Sequence, residues 1–214
     1  MKGKLSLIAI PNYEVTCDEL TMDLTPELLL TAYAQGIFPM ADEEGQISWY
    51  SPDPRAILPL DRLHVSHSLR RVIRSGRYDV RFDSAFTEVM VACAAPAPDR
   101  ELTWISDELI EAYTWLHELG FAHSVETWLG GELVGGLYGV SLRGLFAGES
   151  MFSIRPNASK VALYYLVEHL LERGFALLDV QFQTPHLAGL GSVEVSQARY
   201  RYLLKQAMAL DARF

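Results

Sequence analysis

The chain of 214 residues is poor in what most enzymes of small molecules advertise. Its two cysteines, Cys17 and Cys93, form no paired motif, and its six histidines are scattered. That excludes a disulfide framework and a zinc site, so the thiols are expected to be reduced in a cytoplasmic protein. No Gly-x-x-x-x-Gly-Lys-Ser/Thr loop occurs, which excludes the usual phosphate cradle. Gly-x-Ser-x-Gly is absent too, and Ser150 has no histidine at a telling spacing, so a serine nucleophile is not supported. Leu5–Ile10, interrupted by Ser6, is the longest apolar run near the start. It is too short to span a bilayer and lacks the basic flank of a signal peptide. Positive charge is scarce: 18 Lys and Arg against 27 Asp and Glu leave a net −9. A general nucleic-acid coat is therefore excluded.

What is present is a soluble, globular composition, half apolar and one-fifth charged. The scarce positive charge is concentrated. Residues 62–81 hold Arg62, Arg70, Arg71, Arg74, Arg77 and Arg81 against Asp79, a local balance of +5. Two readings stay open for this island: a solvated helix face, or a face that docks a polyanion.

The order of elements can be read from caps and periodicity. Thr25-Pro26-Glu27 starts a helix that Gly36 stops. Ser48-Trp49-Tyr50 reads as a short strand, followed by Ser51-Pro52-Asp53-Pro54 as a turn. Helices follow over 67–75, 85–94 and 106–119, with a strand at Tyr78–Phe82. Ala122–Trp128 is a strand, and Glu132–Val140 with Leu145–Met151 reads as a hairpin. A helix opened at Pro156 or Asn157 runs to Glu172. A β-rich run follows at Phe175–Phe182, and a last helix spans about 194–209. This order predicts an α/β (α+β) chain. A small N-terminal lobe would span residues 1–58. An N-acetyltransferase-like (GNAT-like) domain with a mixed, mostly antiparallel sheet would span 59–214. The loop Ser153–Lys160 has no glycine, so its amides converge poorly on a pyrophosphate, and acetyl-CoA is not the expected acyl donor.

Asp179-Val180-Gln181 lies in an otherwise apolar strand. Residues two apart share a face, which pairs Asp179 with Gln181. The pair is either a buried hydrogen-bonded anchor or the polar floor of a cleft. Gly148-Glu149-Ser150-Met151-Phe152 ends an apolar strand with a carboxylate at a turn. Tyr33, Trp49 and Trp104 sit at turns or helix ends, where an aromatic ring can stack on a base for about 1–3 kcal/mol.

Taken in order, these residues resemble one family, the leucyl/phenylalanyl-tRNA–protein transferases. The matching motifs are Leu24-Thr25-Pro26-Glu27, Ala32–Pro39, Trp49–Arg55, Thr103-Trp104-Ile105, Glu111-Ala112-Tyr113 and His123–Glu126. Leu133–Val140, Gly148–Ser153, Ala158-Ser159-Lys160 and Asp179-Val180-Gln181 complete the set. The resemblance implies transfer of Leu or Phe, with Met a further donor, from aminoacyl-tRNA to proteins beginning with Arg or Lys. Such a mark leads to N-end-rule degradation. It implies Asp179 and Gln181 as the catalytic pair, Gln181 holding the attacking amine and Asp179 orienting Gln181. Tyr33, Trp49, Trp104, Tyr113, Glu149 and Ser150 would surround the 3′-adenosine and the amine. Leu137, Phe146, Met151, Leu163, Leu170 and Leu178 would form the side-chain pocket. Arg70, Arg71, Arg74 and Arg77 would dock the tRNA. No cofactor, metal or membrane is implied, and the chain would act as a monomer.

Three departures bear on specificity. Met40 stands where the family has tryptophan, Thr16–Leu24 lacks the family's paired glycines, and Ser196-Gln197 is neutral where a basic residue is usual. Alternative readings are a related transferase with altered donor or acceptor choice, such as acidic N-termini, and a non-catalytic module that binds aminoacyl-tRNA or N-degrons.

Overall fold

A computed structural model of the chain describes residues 24–42, 44–96 and 103–214. Cys17 and nearly all of Thr16–Leu24 lie outside these residues; Cys93 is buried in the core.

Helix α1 spans Pro26–Ala34, with Pro26 at its first position and Thr25 Oγ1 accepting from the Leu28 amide at 3.3 Å. Gly36, at φ +76°, turns the chain into strand β1, Phe38–Ala41. This strand pairs antiparallel with β2, Ile47–Tyr50, in a two-stranded sheet. Asp42 holds the turn by accepting from the Glu44 and Gln46 amides. The sequence reading has β2 without β1, because Pro39 reads as a break; an edge position tolerates the missing N–H.

The seven-stranded sheet has the order β4-β5-β6-β7-β8-β3-β9. Its strands are β3 Arg55–Ile57, β4 Asp79–Phe82, β5 Ala122–Leu129, β6 Glu132–Leu142, β7 Leu145–Ser153, β8 Leu177–Gln181 and β9 Val193–Val195. All neighbouring pairs are antiparallel except β7–β8. The sheet is thus mixed and mostly antiparallel, as the element order predicts. Arg55–Ile57, the end of the segment expected to form the lobe, pairs within this sheet.

Helices α2 (His67–Arg74), α3 (Phe86–Ala94), α4 (Asp107–Glu118) and α5 (Ala158–Glu172) cover it, with α6 (Pro185–Gly189) and α7 (Gln197–Met208) after β8. The side chains of Ser66, Ser106 and Ser196 cap α2, α4 and α7. One core joins α1, α3 and α4 to the sheet face carrying Ala122, Tyr138, Val140 and Ala147. A second sets α5 against Val125, Leu137, Phe146 and Leu178 on the other face. A third packs Tyr200 and Leu204 of α7 on Ile57, Leu145 and Leu177. Among the described residues, no helix is long and apolar enough to cross a membrane.

The β7–β8 pairing positions the site. It holds for three residue pairs, Leu145 with Leu177, Phe146 with Leu178 and Ala147 with Asp179. Beyond Ala147, β7 continues to Ser153 along β6, while β8 stops at Gln181. The sheet splits there.

Candidate active site

A cavity of about 240 Å³ fills the split. Its walls come from β6 (Leu137, Tyr138), β7 (Gly148, Glu149, Ser150, Met151), α5 (Leu163, Leu166), β8 (Leu178, Val180) and α6 with its cap (Thr184, His186, Leu187). This is smaller than the roughly 300–1,000 Å³ of sites for drug-sized ligands, and suits one apolar side chain. Four expected pocket residues, Leu137, Met151, Leu163 and Leu178, line it together. Phe146 and Leu170 do not. Both are fully buried in the second core, where the Phe146 ring stacks on Phe214 at 5.4 Å.

Asp179 and Gln181 stand at the split, but their side chains do not bond to each other. The Asp179 carboxylate, 1% exposed, receives four hydrogen bonds. Arg55 donates Nε to Oδ1 at 2.9 Å and Nη2 to Oδ2 at 2.6 Å. The Tyr200 hydroxyl donates to Oδ2 at 2.7 Å, and the Gln181 amide N–H to Oδ1 at 3.0 Å. Two carboxylate oxygens offer about four acceptor positions, so Asp179 is saturated. Arg55 is itself buried. Its Nη1 donates to the Gly36 carbonyl at 3.1 Å, and its guanidinium lies 4.7 Å from the Phe38 ring centre and 4.5 Å from that of Tyr200. Burial alone would lower the Arg55 pKa, but the Asp179 charge reverses this and raises it.

Gln181 ends β8 at φ +54°, a left-handed backbone that the Asp179 bond to its own N–H holds in place. The turn swings its side chain toward β7, where Nε2 donates to Glu149 Oε1 at 3.3 Å. Glu149 is half-buried, and burial pushes its carboxyl up to about 8. A hydrogen bond from Tyr33 and the charge of Arg55 oppose the rise, while Asp179 adds to it. The hydroxyls of Tyr33 and Tyr113 are hydrogen-bonded to each other, and burial followed by Glu149 raises both phenols well above their usual range. Burial and Asp179 do the same for Tyr200.

Glu149 and Ser150 therefore line the cavity, while Tyr33 and Tyr113 lie buried in the first core behind Glu149 and do not line it. Trp49 and Trp104 pack half-buried on the first core beside β1, the Trp104 carbonyl accepting from the Ala41 amide at 3.1 Å. Neither lines the cavity. Met40 packs on the same core. Ser196 caps α7, and Gln197 bonds to Asp53 and Ser51. Arg70, Arg71, Arg74 and Arg77 are exposed, and none makes an ion pair with a described carboxylate. Residues not singled out from sequence also belong here: Arg55, Tyr200, Leu166, Val180, Thr184, His186 and Leu187. Arg55 left one trace, a charge beside the apolar run Ala56-Ile57-Leu58.

The family model of the leucyl/phenylalanyl-tRNA protein transferase matches residues 57–205, and that of the family's N-terminal domain matches 22–53. A curated leucyl/phenylalanyl-tRNA–protein transferase of Herpetosiphon aurantiacus is 59% identical over 91% of this chain and 100% of its own length. The corresponding protein of Gloeobacter violaceus is 55% identical with the same coverage. Solved structures are more distant. A GCN5-related N-acetyltransferase from Kribbella flavida gives a TM-score of 0.40 at 10% identity, covering 80% of this chain and 61% of that one. A ribosomal-protein-alanine N-acetyltransferase from Brucella melitensis biovar Abortus 2308 gives 0.36 at 16%, covering 52% and 84%. From identity over nearly its whole length, the chain belongs to the leucyl/phenylalanyl-tRNA–protein transferase family.

Proposed function

We propose that the protein transfers leucine or phenylalanine, with Met a further donor, from aminoacyl-tRNA to the N-terminal α-amine of another protein. The observation that carries the proposal is the split in the sheet. It places an apolar cavity the size of one side chain beside Gln181 and Glu149. The donor's side chain enters the cavity, and its ester lies at the polar end. Gln181 gives its Nε2 to Glu149, which leaves its Oε1 to accept from the attacking amine. Asp179 acts on the geometry of Gln181 through the backbone. Aminolysis of an ester is downhill, and positioning alone supplies about 7–11 kcal/mol of barrier reduction.

In the same reading, Arg70, Arg71, Arg74 and Arg77 dock the tRNA acceptor stem by its backbone. Their location supports this: Leu69 of α2 packs on Ala158 and Val161 of α5, the helix that lends Leu163 and Leu166 to the cavity. The acceptors begin with Arg or Lys, acetyl-CoA is not used, and the protein works as a cytoplasmic monomer.

The test is transfer of labelled leucine from Leu-tRNA to peptides beginning with Arg, Lys, Asp or Glu. Transfer to the Arg and Lys peptides is expected. Transfer to the acidic peptides alone would establish a different acceptor class, and binding without transfer would make the protein a recognition module. Replacing the four arginines by alanine should flatten the salt dependence of tRNA binding. Its log–log slope should fall by about 0.9 for each duplex phosphate that the variant no longer neutralises.

A further inference from the structure

We propose that Glu149 is the proton acceptor of this transfer: its carboxylate takes a proton from the α-ammonium of the incoming protein. The proposal rests on the aminoacyl-transfer reading and assigns a role that reading leaves open. An amine attacks only when neutral, whereas an α-amino group, with an ordinary pKa of about 7.7–8.0, is largely ammonium at neutral pH. A group near Gln181 that receives that proton in the complex frees the reaction from the small neutral fraction in solution.

The geometry eliminates the other candidates in turn. Asp179 has both oxygens filled by Arg55, Tyr200 and the Gln181 N–H at 2.6–3.0 Å, and lies on the sheet face away from the cavity walls Leu178 and Val180. Tyr33, Tyr113 and Tyr200 are raised phenols, which donate rather than accept at neutral pH. Arg55 is committed to Asp179. Besides the phenol of Tyr138, two titratable groups among the described residues line the cavity, Glu149 and His186. His186 is exposed on α6 and makes no hydrogen bond to Gln181, whereas Glu149 accepts from the Gln181 amide expected to hold the amine.

Among the described residues, and besides Tyr138 of β6 and His186 of α6 in the cavity wall, the charged and titratable groups facing Glu149 are Tyr33 from α1, Tyr113 from α4, Arg55 from β3, Asp179 from β8 and Tyr200 from α7. Among them burial dominates and brings Glu149 to about 8, close to the amine it faces. Proton transfer between groups of matched affinity is nearly level in energy, which is where a general base works best. A poorly solvated pocket also favours the neutral amine–carboxylic acid pair over the ion pair.

The step balances. The Glu149 carboxylate takes one proton from the ammonium. The freed nitrogen forms a bond to the ester carbonyl carbon, and the carbon–oxygen bond to the ribose breaks with its electron pair on that oxygen. The ribose oxygen takes the second proton lost by the nitrogen, and Glu149 releases its own to solvent.

The test compares single-turnover transfer of leucine by wild type, Glu149→Gln and Glu149→Asp with an Arg-initiated peptide. In solution the amine goes from about one-twentieth neutral near pH 6.5 to mostly neutral near pH 9. Reaction through the carboxylate–ammonium pair, relative to reaction of the free amine, scales with the protonated fraction of Glu149, which falls from nearly all near pH 6.5 to about one-tenth near pH 9. The Glu149→Gln deficit should therefore be up to about tenfold larger near pH 6.5 than near pH 9, with Glu149→Asp recovering part of it. Each deficit is a ratio within one preparation, so a variant that folds incompletely still reports its pH dependence. A deficit constant across pH overturns the proposal while leaving the transfer reading intact. A pH-dependent deficit in His186→Asn with none in Glu149→Gln also overturns it. Absence of transfer by wild type at both pH values overturns the transfer reading itself.

Discussion

The two faces of strand β8 differ in how far their polar groups are satisfied. On the α7 face, Asp179 is surrounded by Arg55, Tyr200 and a backbone N–H, with every acceptor position taken. On the α5 face, Leu178 and Val180 border open space, and the nearest carboxyl, Glu149, has no cationic side chain within ion-pair distance among the described residues. The same strand therefore carries a finished electrostatic structure on one side and an unfinished one on the other. A buried ion pair does not by itself stabilise a fold, but it fixes geometry when every lone pair is used. Here it fixes the left-handed backbone of Gln181. On the proposed reading, a substrate's cation and apolar side chain would complete the unfinished side.

The comparison breaks most severely at Arg55. Arg55→Ala strands the Asp179 charge with no route to solvent and should cost about 3–5 kcal/mol in urea unfolding, with Arg55→Lys recovering part. A loss under about 1 kcal/mol would mean that the two faces do not differ as described.

The next largest effect is on the open face. Leu163→Phe fills part of the cavity and should lower transfer of Phe more than that of Leu, by about tenfold in relative kcat/KM, with little change in acceptor KM. Equal losses for both donors would show that the cavity does not hold the donor side chain.

A smaller effect separates the two carboxyls by pH. The folded state holds the proton of Glu149 more tightly than the unfolded chain does, so stability present at low pH is lost as the pH rises toward about 8. Glu149→Gln removes that loss. Relative to wild type it should gain roughly 1–2 kcal/mol between pH ~5 and pH ~9, discounted for the partial exposure of the site. Thermal melts at the two pH values measure this, and a gain that does not grow with pH contradicts it.

The smallest effect is that of Tyr200→Phe, which removes one donor from a carboxylate that keeps three. It should cost about 1–2 kcal/mol in the same urea titration.

Local chemistry in the sequence was enough to place much of this. Thr25, Ser66 and Ser106 announce their helices, each accepting from an amide three residues on. Arg143-Gly144 closes the β6–β7 hairpin where the pattern puts it. The polar pair in an apolar strand falls where the sheet splits, with Gln181 bonded to the cavity-lining Glu149. The segments β3, β9 and α6 were not legible, because three to five residues carry too little periodicity and β3 and β9 are held by partners far along the chain. Arg55 shows the limit best, since its partner Asp179 is 124 residues away and no local rule connects them. Side-chain identity also does not say which apolar residues of α5 face a gap. Leu163 lines the cavity, while Leu170, two turns on and equally apolar, is packed solid. The common-face rule does not foresee that the bond between Asp179 and Gln181 runs from the Gln181 backbone N–H rather than from its side chain.

Gly36, Arg55, Asp179 and Tyr200 meet in one cluster although they are spread from the first helix to the last. A side chain at Gly36 would stand 2.6 Å from the Tyr200 ring, so these distant segments lie close together. During synthesis, then, the cavity walls and Gln181 exist in the nascent chain before the residue that completes the support behind them. The Asp179 carboxylate thus gains its Tyr200 donor only after α7 has been made and docked, which makes completion of this cluster one of the last events of folding.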